Sequence, residues 1–231
     1  MLEIQGLSFA YGGVRAVNGV DLVVHEGAIH GLIGPNGAGK TTTIDLICGA
    51  KKPTTGTILF KGHDVTRATP RSHRRAGMAR SFQRISVYPG LSVREQLDLA
   101  AWAVGEEDVD SIVEALDLTG VIDQRCESIS YGEQRRVDIA LALVGAPTLV
   151  LLDEPAAGLS RDESITLADH LAGLAQERGT TILLVEHHLE VVFRICDRLT
   201  VLDLGQVIAD GAPDEIRKDP RVIDAYLGAS A

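Results

Sequence analysis

The chain of 231 residues is long enough for one sizeable domain, and a composition that is 45% hydrophobic but 4% aromatic indicates a globular protein with an aliphatic core. Its net charge of −10 argues against broad affinity for nucleic acid or anionic lipid. No stretch reaches the roughly 18 apolar residues of a membrane-spanning helix, and no secretion signal opens the sequence, so we expect a cytosolic protein. The scattered Cys48, Cys126 and Cys196 lack metal-ligand spacing and are expected to be reduced core thiols.

The first part of the chain predicts two kinds of strand around a glycine-rich loop. The predicted elements are strands at 2–9, 17–25, 28–34, 56–60 and 78–82, and a helix at 40–48. The first two strands alternate as in a small antiparallel edge sheet, whereas the third is continuously apolar and runs into the loop. Gly49 and Pro53 stop the helix.

A run of arginines follows these elements. It comprises Arg67, Arg71, Arg74, Arg75, Arg80 and Arg84. Because long charged side chains on a helix usually face water, we interpret the run as a solvated helix face. A docking surface for a partner is the alternative.

From residue 91 onward the pattern first becomes helical and then alternates. Ser92 and Glu95 have capping-box spacing, and helical periodicity extends to about Leu118. The further predicted elements are helices at 133–144, 161–177 and 188–195, and strands at 148–152, 181–185, 198–203 and 206–210. Strands separated by helices predict a parallel sheet covered on both faces, with 91–143 as a helical insertion.

The glycine-rich loop matches the phosphate-binding pattern G-x-x-x-x-G-K-[ST]. Its glycines let backbone N–H groups surround a phosphate, and the helix that follows adds a favourable dipole. Lys40 is predicted to reach the β- and γ-phosphates, and Thr41 to ligate Mg²⁺. An ordinary glycine turn is the alternative, but the flanking strand and helix favour ATP binding. The predicted contacts are Gly34, Pro35, Asn36, Gly37, Ala38, Gly39, Lys40, Thr41 and Thr42.

Two adjacent carboxylates follow the hydrophobic strand at 149–152. A strand buried on both faces exposes charge only at its end, which is where ligands bind in open α/β sheets. Asp153 is predicted to hold Mg²⁺, and Glu154 to orient or deprotonate the attacking water. The alternative is that the pair merely caps the helix that begins near Arg161.

The segment before this acidic strand carries a further element. It reads Ile129-Ser130-Tyr131-Gly132-Glu133-Gln134-Arg135-Arg136. A helix N-terminus with a serine hydroxyl and a glycine backbone suits a γ-phosphate, although Ser130 and Glu133 also form a plain capping box. The segment resembles the ABC signature, usually Leu-Ser-Gly-Gly-Gln, with Tyr131 in place of the first glycine. The resemblance implies that Ser130, Gly132 and Glu133 contact ATP held by the opposite subunit of a head-to-tail dimer.

The same resemblance assigns three further residues. Gln83 is similar to the glutamine that senses Mg²⁺ and the γ-phosphate and begins a partner-contacting loop at 84–90. His187 matches the switch histidine, with His188 as the alternative. Tyr11 matches the aromatic residue that stacks on adenine, with a surface tyrosine on an edge strand as the alternative.

The resemblance covers essentially the whole chain and implies one ABC ATPase domain over residues 1–231. The expected fold class is α/β: a RecA-like P-loop NTPase core with a parallel sheet and an antiparallel β edge sheet, formed by 1–90 and 144–231. A small helical subdomain at 91–143 carries the signature. Three segments look most like ATPases of branched-chain amino-acid importers, and they are 131–136, 153–159 and 223–228.

The expected activity is ATP hydrolysis that drives transport, with Glu154, His187 and Lys40 as catalytic residues and with Thr41, Gln83 and Asp153 at Mg²⁺. The implied partners are transmembrane permease subunits near 83–91 and 92–118, an identical or paralogous second ATPase subunit and, indirectly, a solute-binding protein. The expected location is the inner face of the cell membrane. Alternatives are transporters for urea or amide uptake or for lipid or polysaccharide export, a soluble ABC ATPase of DNA repair or translation, a P-loop kinase, and a catalytically dead partner.

Overall fold

The structure is a computed structural model that describes residues 1–105 and 108–228. Its strands are β1 (Leu2–Tyr11), β2 (Val14–Val24), β3 (Ile29–Ile33), β4 (Thr55–Phe60), β5 (His63–Asp64), β6 (Met78–Ser81), β7 (Leu149–Asp153), β8 (Thr181–Val185), β9 (Arg198–Asp203) and β10 (Gln206–Gly211). Its α-helices are α1 (Lys40–Ile47), α2 (Pro70–Arg75), α3 (Val93–Val104), α4 (Asp110–Ala115), α5 (Tyr131–Leu143), α6 (Arg161–Arg178), α7 (Leu189–Ile195), α8 (Pro213–Ile216) and α9 (Pro220–Gly228). Short 3-10 turns lie at Thr119–Val121 and Cys126–Ser128.

The central sheet confirms the predicted α/β core. Within the described residues it has six strands in the order β10-β9-β3-β8-β7-β6, with parallel pairing from β9 to β6 and β10 antiparallel to β9. All residues of β3, β7 and β8 are buried. Because the sheet is covered on both faces, polar side chains that serve a ligand must lie at the strand ends.

Alternate residues of the central strands face two different cores. In β7, Leu149 and Leu151 pack with α1 and the antiparallel strands, whereas Val150 and Leu152 pack with the helices that include α3, α5 and α6. This alternation follows from the two-residue repeat of a strand. Both cores consist mainly of aliphatic side chains, as the composition predicts.

The antiparallel sheet contains more than the predicted pair of strands. Within the described residues its order is β2-β1-β4-β5, so β4 joins β1 rather than the central sheet. Strand β5 has two exposed residues and was not predicted, because so short and polar a segment gives no strand pattern. The predicted strands at 2–9 and 17–25 are confirmed as β1 and β2.

The predicted helical insertion lies between β6 and β7. Ser92 begins α3 with the predicted reciprocal capping box, in which its hydroxyl accepts from Glu95 N and the Glu95 carboxylate accepts from Ser92 N. Gly105, in the left-handed conformation at φ 73°, ends α3 and divides the helical pattern that extends to Leu118. Apolar residues of α3, α4 and α5 join the same core as the central sheet.

The interpretation of the arginine run as one solvated helix face is wrong. Arg74 lies on α2 and donates to the carbonyls of Ala142 and Val144 beyond the middle of α5. Arg80 lies on β6, where its side chain is 8% exposed and pairs with two carboxylates. The two side chains turn inward because partners for their charge and donors are available there.

Two predictions drawn from composition are consistent with the described structure. Cys48, Cys126 and Cys196 are free and buried. Among residues 1–105 and 108–228, no helix combines the length and the apolar character needed to cross a membrane.

Candidate functional site

The phosphate loop connects β3 to α1 in a path that requires glycine. Gly34 and Gly39 have φ values of 148° and 102°. A Cβ atom on Gly34 would lie 2.0 Å from the carbonyl oxygen of Leu202, and one on Gly39 would lie 2.3 Å from that of Ala16. Such contacts with backbone atoms leave no room for a side chain. Gly34 and Gly39 are therefore fixed by packing as well as by their conformation, whereas Gly37 is required only by its φ of 82°.

Lys40 points into the curve of this loop. Its ammonium donates to the carbonyls of Gly34 at 2.7 Å and Pro35 at 2.9 Å. Burial lowers the pKa of Lys40, and the nearby carboxylates of Glu154 and Asp153 oppose that shift. The site thus holds a cation on the inner side of the loop, where an anionic phosphate would find its counter-charge.

A cavity of about 220 Å³ lies over the loop. Its lining residues are Ala16, Asn36, Gly37, Ala38, Gly39, Lys40, Thr41, Thr42, Glu154 and His187. The structure therefore brings Glu154 and His187 to the phosphate loop, as the sequence predicted. The sequence does not mark Ala16 as part of the site, because an alanine side chain carries no functional group.

Both carboxylate oxygens of Glu154 are engaged by residues singled out in the sequence. Gln83 Nε2 donates to Oε2 at 2.7 Å, and His187 Nε2 lies 2.5 Å from Oε1. Glu154 itself has a left-handed φ of 51°, and its backbone N–H donates to Val185 O at the end of β8. The side chain that follows Asp153 is thus turned out of the sheet and held between two polar groups.

Asp153 is buried beneath this cluster. Its side chain is 2% exposed, and its Oδ2 accepts from Arg80 Nη2 at 3.0 Å. Burial raises the pKa of Asp153, while the Arg80 charge opposes the shift. No donor in the described part of the chain reaches Oδ1. A carboxylate oxygen without a donor suits a Mg²⁺ ion or its water shell, so the residues present fit the ion.

Two supporting residues were missed by the sequence analysis. Arg80 bridges Asp153 to Asp45 of α1, whose Oδ1 lies 2.6 Å from Arg80 Nη1. Glu186 is 1% exposed and accepts from the backbone N–H groups of Ala156, His187 and His188. Asp153 ends β7 and Glu186 directly follows β8, so both lie at the carboxyl end of a buried strand. That position was the signal that could have identified Glu186.

The structure distinguishes the two adjacent histidines. His187 reaches Glu154, whereas His188 occupies the N-cap position of α7 without a side-chain capping bond. The alternative that Asp153 and Glu154 cap the next helix is wrong. Ser160 caps α6, with its hydroxyl accepting from Glu163 N and the Glu163 carboxylate accepting from Ser160 N.

Tyr11 lies at the end of β1 and does not line the phosphate cavity. Its ring is 50% exposed and packs edge-to-face on Phe9, with centroids 4.9 Å apart. Lys51 Nζ lies 5.7 Å from the ring centroid. The exposed ring is compatible with both interpretations of this residue, adenine stacking and an edge-strand surface tyrosine.

The signature-like segment lies apart from the phosphate loop. Ser130 caps α5, its hydroxyl accepting from Glu133 N at 3.2 Å and its N–H donating to the Glu133 carboxylate at 2.7 Å. Ser130, Gly132 and Glu133 line a cavity of about 250 Å³ that shares no lining residue with the phosphate cavity. Within one chain, the two predicted halves of the ATP site do not meet.

Gly132 lies close to the start of α6. A Cβ atom there would lie 2.9 Å from Glu163 Oε1, the end of a flexible side chain that can move aside. Tyr131 covers Gly158 in the neighbouring loop, where an added Cβ would be 3.0 Å from the Tyr131 ring.

Comparison with known proteins places this geometry among ATP-binding cassettes. The profile of the family described as ABC transporter matches residues 17–157, and one described as branched-chain amino acid ATP-binding cassette transporter matches residues 206–231. The chain is 35% identical to the high-affinity branched-chain amino acid transport ATP-binding protein BraF of Pseudomonas aeruginosa, over 99% of this chain and 98% of that protein. It is 36% identical to LivG of Escherichia coli, which has the same description, at the same coverage.

Solved structures agree with the sequence comparison. The ADP conformation of MJ1267, an ATP-binding cassette of an ABC transporter, superposes with a TM-score of 0.90 at 29% identity. The match covers 99% of this chain and 98% of that one. The described fold, with its parallel core, antiparallel sheet and helical insertion, is therefore shared along nearly the whole length.

Proposed function

Because this chain belongs to the ABC transporter family of ATP-binding subunits, we propose that it hydrolyses ATP to drive the import of branched-chain amino acids. The observation that carries the hydrolytic part is the placement of Gln83 and His187 on the two oxygens of Glu154, beside the phosphate loop. The importer part is supported by relatives of that description that match nearly end to end. The match at residues 206–231 adds support from a second region.

In the proposed site, the loop and the start of α1 bind the triphosphate. Lys40 would exchange its contacts with the loop carbonyls for phosphate oxygens, and the backbone N–H groups of the loop would add donors. Thr41, Gln83 and Asp153 would hold Mg²⁺, which neutralises charge on the phosphates when bound. Tyr11 would stack on the adenine.

Glu154 is the proposed base for the attacking water. It lies at the carboxyl end of β7, and its side chain is 15% exposed, so it is accessible from the cavity yet held in place. Without nucleotide, Gln83 and His187 hold the carboxylate. When ATP is present, His187 would turn to the γ-phosphate, and Gln83 would keep the carboxylate oriented.

A second chain would complete the site. Ser130, Gly132 and Glu133 form a helix N-terminus that lies away from the phosphate cavity of its own chain. In a head-to-tail dimer of identical or paralogous subunits, this N-terminus would face the γ-phosphate bound by the other subunit. Residues 91–143 would move as a helical subdomain against the core formed by 1–90 and 144–231.

The proposed surface for the permease subunits surrounds the segment that follows β6. Phe82 and Tyr88 are 52% and 65% exposed, and Leu99 and Trp102, on one face of α3, are 53% and 82% exposed. Large apolar side chains exposed side by side, as Leu99 and Trp102 are on α3, are typical of a protein interface. The chain would sit on the cytoplasmic face of the membrane, and a solute-binding protein would act indirectly through the permeases.

Replacing the proposed base tests the hydrolytic part. Glu154→Gln should bind MgATP with an affinity similar to that of the unmodified chain, because the phosphate loop is unchanged. Its turnover should fall by about a hundredfold or more, since the general base is lost. Calorimetry and phosphate release measure the two quantities.

Lys40→Ala is the matched control, because it should lose nucleotide affinity instead. Hydrolysis by Glu154→Gln at the unmodified rate would remove Glu154 as the base. Uptake of radiolabelled leucine by vesicles that contain the chain and its permeases tests the importer part. ATP hydrolysis without ATP-dependent uptake of leucine, isoleucine or valine would contradict that part alone.

A further inference from the structure

Helix α5 binds the segment 81–86 through a buried arginine that the proposed chemistry does not use. Arg135 is 0% exposed, and its guanidinium donates to two consecutive backbone carbonyls, that of Phe82 at 2.9 Å and that of Gln83 at 2.6 Å. The planar, forked guanidinium suits two such acceptors, which a lysine ammonium would not hold in the same way. The helix therefore grips this segment by its backbone.

Asp138, one turn further along α5, bonds the segment on either side of these two carbonyls. Its Oδ2 accepts from Ser81 Oγ at 2.5 Å, and its Oδ1 accepts from the Ser86 backbone N–H at 2.9 Å. Asp138 is 6% exposed and lies 3.8 Å from Arg135, so the buried charges also balance each other. We call Arg135 and Asp138 the α5 clamp.

The segment held by the clamp has little other backbone support. Among the described residues, 83–87 take part in no backbone-to-backbone hydrogen bond. The side chains of Phe82, Gln83 and Arg84 are exposed, so burial contributes little to fixing them, and Phe82 packs beneath the Arg80 guanidinium, 4.8 Å from its ring centroid. The position of Gln83 is consequently set by α5 more than by its own neighbours in the chain.

The clamp connects two parts of the proposed ATP site. Gln83 donates its side-chain amide to Glu154, the proposed base. Ser130, at the N-cap of the same helix, is five residues from Arg135, a rise of about 7.5 Å. A rigid helix of this length transmits a displacement of its N-terminus directly to the carbonyls that Arg135 holds.

We propose that Arg135 is a positioning residue that makes the placement of Gln83 against Glu154 depend on the position of the signature end of α5. This inference rests on the proposed function, because the signature end would contact ATP of the opposite subunit. When that contact moves α5, the clamp moves Gln83 with it. The rate of ATP hydrolysis at one site then depends on whether the other site holds ATP.

Arg135→Lys tests the proposal, since it keeps the charge and loses the two-carbonyl grip. MgATP affinity should change by only a few fold, because the phosphate loop, Thr41 and Asp153 are untouched and only Gln83 is displaced. The kcat should fall by about tenfold, and the Hill coefficient for ATP should fall towards 1. Amide hydrogen exchange at Ser86, whose N–H donates to Asp138 of the clamp, should accelerate while exchange in β3, β7 and β8 stays as in the unmodified chain.

Two further variants keep the test decisive. Ser81→Ala removes one clamp contact without disturbing a charge and should show the same changes to a smaller degree. Arg194→Lys is the matched control. Arg194 forms an exposed pair with Asp169, so this substitution should alter none of the readouts. A fall in kcat with an unchanged Hill coefficient and faster exchange throughout the chain would show that Arg135 only stabilises the fold, and would overturn the proposal.

Failure of the proposed function gives a different result. If the rate per chain of the unmodified protein stays constant at dilutions where the mass is that of a monomer, the two-subunit site is wrong. The exchange measurement still decides the clamp in that case. Unchanged exchange at Ser86 together with unchanged kcat in Arg135→Lys would show that Arg135 does not position Gln83.

Discussion

Arg80 illustrates how single charges are balanced beneath the candidate site. It joins Asp45 of the helix that follows the phosphate loop to Asp153, the proposed magnesium ligand, at 2.6 and 3.0 Å. Lys51 adds a second cation on Asp45 at 2.9 Å. Because Arg80 and Asp153 are both almost fully buried, neither charge has water as an alternative partner. Strands β6 and β7, which carry Arg80 and Asp153, are thereby fixed relative to α1, which carries Asp45.

Arg80→Gln should therefore destabilise the chain. The substitution leaves two carboxylates near each other without their shared cation, and the free energy of unfolding should fall by about 3 kcal/mol. Urea denaturation followed by circular dichroism measures the change. Arg71→Gln, on the exposed face of α2, should shift the midpoint little. A midpoint for Arg80→Gln equal to that of the unmodified chain would show that the pair contributes nothing to stability.

At the scale of elements, the turn between β3 and α1 depends on close approach of backbones. The strand, the loop and the helix are each predictable from local pattern. The contact of Gly39 with the carbonyl of Ala16 is not, because Ala16 belongs to β2 in the other sheet. The conformation of the phosphate loop thus depends on contact with β2, a strand of the other sheet that carries no phosphate-binding motif.

Gly39→Ala should weaken ATP binding while leaving the fold intact. A side chain at φ 102° and 2.3 Å from a backbone oxygen must displace the loop, and backbone strain of about 1–3 kcal/mol corresponds to binding about 5- to 150-fold weaker. Fluorescent-nucleotide titration measures the affinity. Gly173→Ala, in open space within α6, is the control and should bind ATP normally. Equal affinities for the two variants would show that the loop tolerates a side chain.

At the scale of the whole molecule, the phosphate cavity and the signature cavity are separate surfaces of one chain. The surface that presents Ser130 differs from the surface that presents Lys40. Two copies related by a two-fold axis can satisfy both surfaces at once, and the dimer then closes without further growth. A single copy would retain nucleotide binding through its own loop.

The specific rate of ATP hydrolysis should therefore depend on protein concentration. The rate per chain should rise with concentration and then level off, since association completes the site by mass action. Steady-state phosphate release over a dilution series, with light scattering to give the mass, checks this. A constant rate per chain at dilutions where the mass is that of a monomer would contradict the shared site.

The sequence alone determined the elements and the chemistry that is local in the chain. Continuous aliphatic runs predicted β3, β7 and β8, and the alternation of strands with helices predicted their parallel sheet. The phosphate loop and the Asp153-Glu154 pair were identifiable because each function is carried by neighbouring residues. The resemblance of the ordered motifs then indicated the family to which the chain belongs.

The tertiary structure alone decided which distant groups meet. The partners of Arg80 lie 35 and 73 residues away, and Arg135 holds carbonyls 53 and 52 residues away, so no local pattern could indicate them. The contact of His187 rather than His188 with Glu154 is likewise set by the path of the chain after β8. Local pattern encodes which face of an element is buried. The neighbour that it meets follows from packing the whole chain into one volume, where a buried charge or donor must find a partner.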